Sequence, residues 1–213
     1  MKVVGIDLSG PRNIADTCLV SFEERGDELH FVEVREGADD DQLLKAITGL
    51  SQTERIVIGI DAPLSYNSKG GDRPSDSELR RLIRERGGKV GVMPPTLNRM
   101  VYLTLRGIVL THLLESLQYR SLEIVEIHPG ACMFLREAKA EDVHNFKHDY
   151  VARVHLLDWL GTKGLKDLSS EEPISDHYVA ACAAALGGWQ WSRGQAVWCY
   201  KSNPPWHPYD FGC

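Results

Sequence analysis

Lys2 to Leu8 is apolar and β-branched and stops at Ser9-Gly10-Pro11, which predicts a buried strand closed by a turn. Thr17 to Glu23 and Glu28 to Arg35 alternate apolar with polar residues around Arg25-Gly26-Asp27, the pattern of a hairpin with one wetter face. Asp39-Asp40-Asp41 opens a helix that carries Leu43, Leu44, Ile47 and Leu50 on one side, with acids at the end of the dipole that favours them. Arg55 to Ile60 is a second continuously apolar strand, ended by Asp61-Ala62-Pro63. Apolarity on both of its faces predicts a sheet covered on both sides by helices.

The middle of the chain is less regular. Asn67 to Ser75 reads as a Gly-rich loop, Ser75 to Arg86 as a basic helix, and Gly87-Gly88 through Met93-Pro94-Pro95-Thr96 as a second loop. Asn98 to Gln118 is a long amphipathic helix, and Leu122 to Ile127 is a third apolar strand closed by His128-Pro129-Gly130. Helices follow around Cys132 to Ala138, Lys147 to Gly161 and Ser175 to Gln190. The final segment, about residues 192–213, contains Asn203-Pro204-Pro205-Trp206-His207-Pro208 and is expected to be irregular.

Three consecutive strands followed by alternating helices and strands describe a mixed α/β sheet: an antiparallel meander joined to parallel strands by helical crossovers on both faces. That is a ribonuclease-H-like arrangement. With no repeat and no low-complexity linker, residues 1–213 are expected to form one domain.

Two segments rhyme. Val3-Val4-Gly5-Ile6-Asp7 and Ile58-Gly59-Ile60-Asp61 are both apolar strands that end Gly-Ile-Asp before a turn. If the strands are parallel neighbours, their axes lie ~4.8 Å apart and both carboxylates project at the carboxyl end of the sheet, where open α/β folds place ligands. Such a pair stays ionised only around a cation. Oxygen-only ligation suits a hard divalent ion, Mg²⁺ or Mn²⁺. Glu126 joins the set as an acid inside an otherwise apolar strand, where an unpaired charge is costly. Asp176, at the head of the Ala-rich helix that includes Val179 to Leu186, is the fourth candidate. Competing structural roles exist for each residue. The strand-terminal aspartates fit Asx turns, Asp176 fits a favourable helix-end charge beside the cap Ser175, and Glu126 fits a buried ion pair with Arg99 or Arg106.

Composition narrows the function. Hydrophobic residues form 43% and charged residues 25%, ordinary for a globular protein, and no apolar run approaches a bilayer span. The opening Met1-Lys2-Val3-Val4-Gly5-Ile6-Asp7 lacks a signal-peptide pattern. Five scattered cysteines with no CxxC pair predict free thiols and a cytoplasmic location. A net charge of −6 weighs against extensive nucleic-acid binding, though not against a small metal-assisted contact with a nucleic acid or a phosphate ester.

The segments GIDLSG, IGIDAPLSY, GDRPSDSELRR, MPPTLNRMVYLTLRG, VEIHPGACMFL and DHYVAACAAALGG, in that order, resemble the domain of unknown function family 429. The resemblance runs from about Val3 to Gly188. It implies a ribonuclease-H-like fold and a predicted nuclease whose acidic positions correspond to Asp7, Asp61, Glu126 and Asp176. On that reading the protein hydrolyses phosphodiesters with Mg²⁺ or Mn²⁺ held by those four acids. His128 would shuttle a proton or orient a ligand, and Ser9, Arg73, Arg99 and Arg106 would contact the substrate. Arg80, Arg81, Arg84, Arg86 and Lys89 would clamp phosphates or, more simply, form a solvated face paired with Asp76, Glu78 and Glu85. Arg99 and Arg106 stand two helical turns apart with Tyr102 between them, suited equally to a ligand or to buried ion pairs.

Two further functions compete. Gly5-Ile6-Asp7-Leu8-Ser9-Gly10 looks like the first phosphate loop of an ATP-dependent phosphotransferase, whose usual second domain is lacking. A non-catalytic binding protein that kept the fold is the third reading. Cys132 and the set His144, His148 and His155 lack the partners that a nucleophile or a zinc site needs. Trp189, Trp191, Trp198 and Trp206 are expected to seal a core edge or a homodimer contact.

Overall fold

A computed structural model describes residues 1–50, 54–119, 121–168 and 174–213. The first strand, β1 (Lys2–Asp7), lies between β2 (Cys18–Arg25), its antiparallel neighbour, and β4 (Ile56–Asp61), which runs parallel to it. β3 (Glu28–Glu36) continues the meander beyond β2, and β5 (Leu122–Ile127) adds a parallel strand beyond β4. Short strands complete an eight-stranded mixed sheet of order β6-β3-β2-β1-β4-β5-β8-β7: β6 (Leu165–Lys166) at one edge, β7 (Cys199–Tyr200) and β8 (Phe211–Gly212) at the other.

Helices cover both faces, as the two-sided apolarity of β1 and β4 requires. On one face α1 (Asp40–Thr48) and α3 (Met100–Ser116) pack Leu43, Ile47, Leu110 and Leu114 against Val4, Ile6, Ile58 and Ile60. On the other, α6 (Tyr150–Thr162) and α7 (Asp176–Ser192) pack Leu156, Leu160, Val179 and Trp189 against Val3, Val20 and Phe22. Three further helices, α2 (Pro74–Glu85), α4 (Pro129–Leu135) and α5 (Ala140–Asn145), flank this frame. Among the described residues no helix is long and apolar enough to cross a membrane, and all five cysteines are free, four of them buried.

Capping moves several helix starts from the positions that periodicity predicts. α1 begins where expected: Asp39 accepts the Gln42 N–H at 2.8 Å and the Gln42 side chain accepts the Asp39 N–H at 2.9 Å, a capping box. α4 starts at Pro129, ahead of Cys132, because His128 caps it and proline suits a first helical position. α6 starts at Tyr150, after Lys147, because Asp149 accepts the Val151 N–H at 2.9 Å. α5 and the two-residue strands fall below the length at which periodicity is visible.

The C-terminal segment is not wholly irregular: β8 pairs parallel to β5 and β7 antiparallel to β8. Asp210 secures it. Its carboxylate accepts from the Trp191 indole at 2.9 Å, the Ser202 N–H at 2.8 Å and the Lys201 ammonium at 2.8 Å, while its backbone carbonyl accepts the Glu126 N–H at 2.9 Å. Burial favours a higher Asp210 pKa, yet these donors hold it down to about 2.

At two glycines α7 approaches the sheet backbone against backbone. A methyl group built on Gly5 would lie 2.0 Å from the Ala181 carbonyl oxygen, and one on Gly59 would lie 2.2 Å from that of Ala184. The glycines of the two rhyming strands are therefore the seat of α7. Gly5→Ala and Gly59→Ala are expected to lose on the order of 4–5 kcal/mol or to fail to accumulate folded. Gly91→Ala, with open space at its Cβ, should stay within about 0.5 kcal/mol in the same urea titrations.

Candidate active site

Parallel pairing of β1 and β4 sets Asp7 opposite Asp61 and Gly5 opposite Gly59. Residues two apart on a strand share a face, so both aspartates emerge on the face that α7 covers, just beyond its closest contact with the sheet. Their carboxyls lie within hydrogen-bonding reach of each other, in a cleft of about 900 Å³. Desolvation raises the pKa of both. For Asp61 the charge of Asp7 adds to that cost, so its pKa stands well above the ordinary carboxylate value, with Lys147 a smaller opposing influence. For Asp7 desolvation again leads, opposed chiefly by His177. The pair is short of positive charge, the condition in which two acids hold a shared proton or a cation.

His177, the second residue of α7, is the principal residue that the sequence reading did not single out. Its Nδ1 lies 2.7 Å from an Asp7 carboxylate oxygen, and Nε2 lies 3.6 Å from Asp16 and 3.8 Å from Asp176. The Asp7 hydrogen bond raises the His177 pKa against partial desolvation, so Nδ1 is the donor to Asp7. The available signal was Asp176-His177 at the head of an Ala-rich helix matched to two strand glycines. Asp176 lines the cleft beyond His177.

Glu126 lines the same cleft and its charge adds to the rise of the Asp61 pKa, but its carboxylate is not free to share an ion with the aspartates. β5 pairs with β4 so that Glu126 stands opposite Ile60, one residue out of phase with Asp61. Its side chain therefore leaves by the other face of the sheet. There it meets Arg73, not Arg99 or Arg106, in a buried bidentate pair at 2.5 and 2.8 Å, and it also accepts the Leu64 N–H at 2.9 Å. Arg73 further donates to Asp76 at 2.7 Å and stacks over the Phe211 ring at 5.3 Å. Glu126 is thus corrected from metal ligand to structural partner, and Arg73 from substrate contact to buried hub.

Three other expectations change in the same way. Arg106 donates to Asp40 at 2.8 Å, the Ser9 carbonyl at 2.9 Å, Thr17 at 2.7 Å and the Ala38 carbonyl at 3.1 Å, so it fastens α3 to the loops after β1 and β3. The Ser9 hydroxyl donates to the Asn13 carbonyl at 2.5 Å and lies 2.7 Å from the Thr17 hydroxyl, which closes a turn and leaves no free group for substrate. His128 accepts the Ala131 N–H at Nδ1 (3.2 Å) and donates from Nε2 to the Gly91 carbonyl (2.9 Å). With both nitrogens engaged and its pKa lowered by burial, it is a neutral helix cap, not a proton shuttle.

Arg99 is the one predicted substrate-contacting residue left available: it precedes α3, is exposed and lines the cleft. Arg12, Lys89 and Lys147 also line the cleft and are exposed. Among the described residues no set of three or more His, Cys, Asp or Glu is placed to cage a metal. The expected four-acid cluster reduces to the Asp7–Asp61 pair with Asp176 near it. Burial raises the Cys132 thiol pKa, the opposite of an activated nucleophile.

Compared with protein-family models, the chain matches the one described as protein of unknown function (DUF429) over residues 5–204, and it belongs to that family. No curated protein matches it, and no solved structure does.

Removing one partner of a buried ion pair strands the other, so Glu126→Gln should cost about 3–5 kcal/mol in urea denaturation. Asp61→Asn should act in the opposite direction. A carboxyl whose folded pKa is raised binds its proton more tightly in the native state, so its penalty is absent below the unfolded pKa and complete above the folded one. The metal-free variant should therefore melt higher than wild type at pH 8, by about 2–4 °C per kcal/mol relieved, with the difference vanishing toward pH 4.

Proposed function

We propose that this DUF429 member is a divalent-metal-dependent phosphodiester hydrolase of ribonuclease-H-like fold, with Asp7 and Asp61 as its central acids. The observation that carries the reading is their register: two carboxylates side by side on parallel strands, in a cleft, with no arginine between them among the described residues. The strand order β3-β2-β1-β4-β5, antiparallel up to β1 and parallel after it, supports the fold assignment. The free thiols fit a reducing cytoplasm.

Mg²⁺ or Mn²⁺ fits the residues present, because such ions are usually held by one or two carboxylates and keep several waters. Asp7 and Asp61 would be the ligands, with Asp176 in reach of the same cleft. When bound, the ion supplies Lewis-acid stabilisation of phosphoryl charge and activation of water. The chain's own groups do the rest. His177 fixes the orientation of Asp7 through Nδ1 and holds a proton at Nε2, between Asp16 and Asp176, available to a departing oxygen. Arg99, Arg12 and Lys147 offset phosphate charge. Arg73 and Glu126 anchor the segment after β4 from the opposite face and stay outside the reaction. The phosphotransferase reading is weaker, since the Ser9 hydroxyl that it needs is engaged within its own turn.

With Mn²⁺ and bis(p-nitrophenyl) phosphate, Asp7→Asn and Asp61→Asn should each lower turnover by about 10²-fold or more while the proteins remain folded. His177→Ala should lower it about 10–100-fold, as loss of a ligand-orienting residue does. Turnover that is equal in wild type and both asparagine variants would exclude this site as its source.

A further inference from the structure

The charge around the cleft is divided. Arg12, Lys89, Arg99 and Lys147 arrive from three connections: Arg12 after β1, Lys89 and Arg99 between α2 and α3, and Lys147 between α5 and α6. All four are exposed, and among the described residues none forms a salt bridge, the charge of Lys147 reaching Asp7 and Asp61 only across the cleft. Several arginines elsewhere on the surface are balanced, Arg25 by Glu23, Arg55 by Glu123, Arg80 by Asp72 and Arg81 by Glu85, whereas Arg84 and Arg86, at the end of α2, are exposed and form no salt bridge among the described residues. Unpaired cations thus gather around a recessed acidic pair. Beside them the wall is apolar and open, with Tyr102 60% and Met93 50% exposed.

Size limits what this arrangement can take. A volume of about 900 Å³ lies within the range of sites that enclose small molecules, about 300–1,000 Å³. A duplex carries one charge per about 1.7 Å of its axis and is held by a row of free cations extending over many phosphates. Here Arg25, Arg55, Arg80 and Arg81 are neutralised by neighbours, and the whole chain has a net charge of −6. The ligand that fits has an anionic part for the cations and a flat apolar part for Tyr102 and Met93.

We infer that the cleft takes a phosphate ester of one to two nucleotides, with its phosphate held by Arg12, Lys89, Arg99 and Lys147 and its base laid against Tyr102. This rests on the cleft being the hydrolytic site, and it narrows the substrate from nucleic acid in general to short pieces or free nucleotides. Stacking on one exposed tyrosine tolerates any base, so size and phosphate charge, not sequence, set the selectivity.

The test measures binding apart from turnover. Full-length protein with Ca²⁺ is titrated calorimetrically with a dinucleoside monophosphate, a 20-nucleotide single strand and a 20-base-pair duplex. The dinucleotide should bind more tightly than the duplex. Arg12→Ala, Arg99→Ala and Tyr102→Ala should each weaken it by about tenfold, the scale of one charge-assisted hydrogen bond or one stacked base. Arg81→Ala, on the outer surface, should leave it unchanged. Tighter binding of the duplex, absence of dinucleotide binding, or affinity indifferent to the three cleft substitutions would each overturn the inference. Dinucleotide binding with that dependence, but without Mn²⁺-dependent cleavage of any substrate, would sink the hydrolase reading and leave the inference standing. Cleavage of long strands that depends on Asp7 and Asp61, with no preference for short ones, would do the reverse.

Discussion

The seat of α7 on Gly5 and Gly59 is the contact from which the rest of the architecture follows. With no side chain on either glycine, the carbonyls of Ala181 and Ala184 come to rest almost on the strand backbones. A helix held that close has no freedom to slide along the sheet, so the head of α7 is fixed relative to the strand ends. Asp7 and Asp61 lie two residues past the glycines on the same face, and His177 therefore meets Asp7 without any additional loop or lid. The positive end of the helix dipole lies toward two desolvated acids, the favourable direction.

Parity along the strands separates the acids into two groups with different fates. Asp7 and Asp61 lie on the α7 face, close to each other; burial raises both pKa values, and the charge of Asp7 adds to the rise at Asp61. Glu126 lies one residue out of phase, on the opposite face, where Arg73 compensates it at 2.5 Å and Asp76 shares the same guanidinium. A single-residue shift in the β4–β5 pairing would exchange these environments. One side of the sheet end is therefore a brace in which one guanidinium holds two carboxylates. The other retains an electrostatic imbalance, and such imbalance is characteristic of sites that bind or react. The cleft cations that form no salt bridge face that imbalance.

The loops serve the same division. Arg106 takes up the carbonyls of Ser9 and Ala38 and the hydroxyl of Thr17, which makes the turn after β1 rigid. His128 caps α4 and holds Gly91, and Asp210 draws the C-terminal strands onto β5 and α7. Polar residues that look chemical in isolation thus hold the walls of the cleft in place, while the groups left free to act are fewer and more exposed.

The sequence by itself determined the long strands, most of the helices, the cover on both faces and the juxtaposition of Asp7 with Asp61. All of these follow from local periodicity and from two matching Gly-Ile-Asp strand ends. It did not determine which acids share a face across different strands, because that depends on inter-strand register, and no pattern within β5 fixes its register against β4. Nor did it identify the partner of Glu126: Arg73 lies 53 residues away in the chain and meets it only through the fold. His177 gave a weak signal for the same reason, since its importance comes from the helix it heads being set on strands almost 120 and 170 residues earlier. Strands of two residues have no periodicity to read, and β7 and β8 formed because the edge of β5 offered unpaired backbone groups to the segment that Asp210 brought beside it.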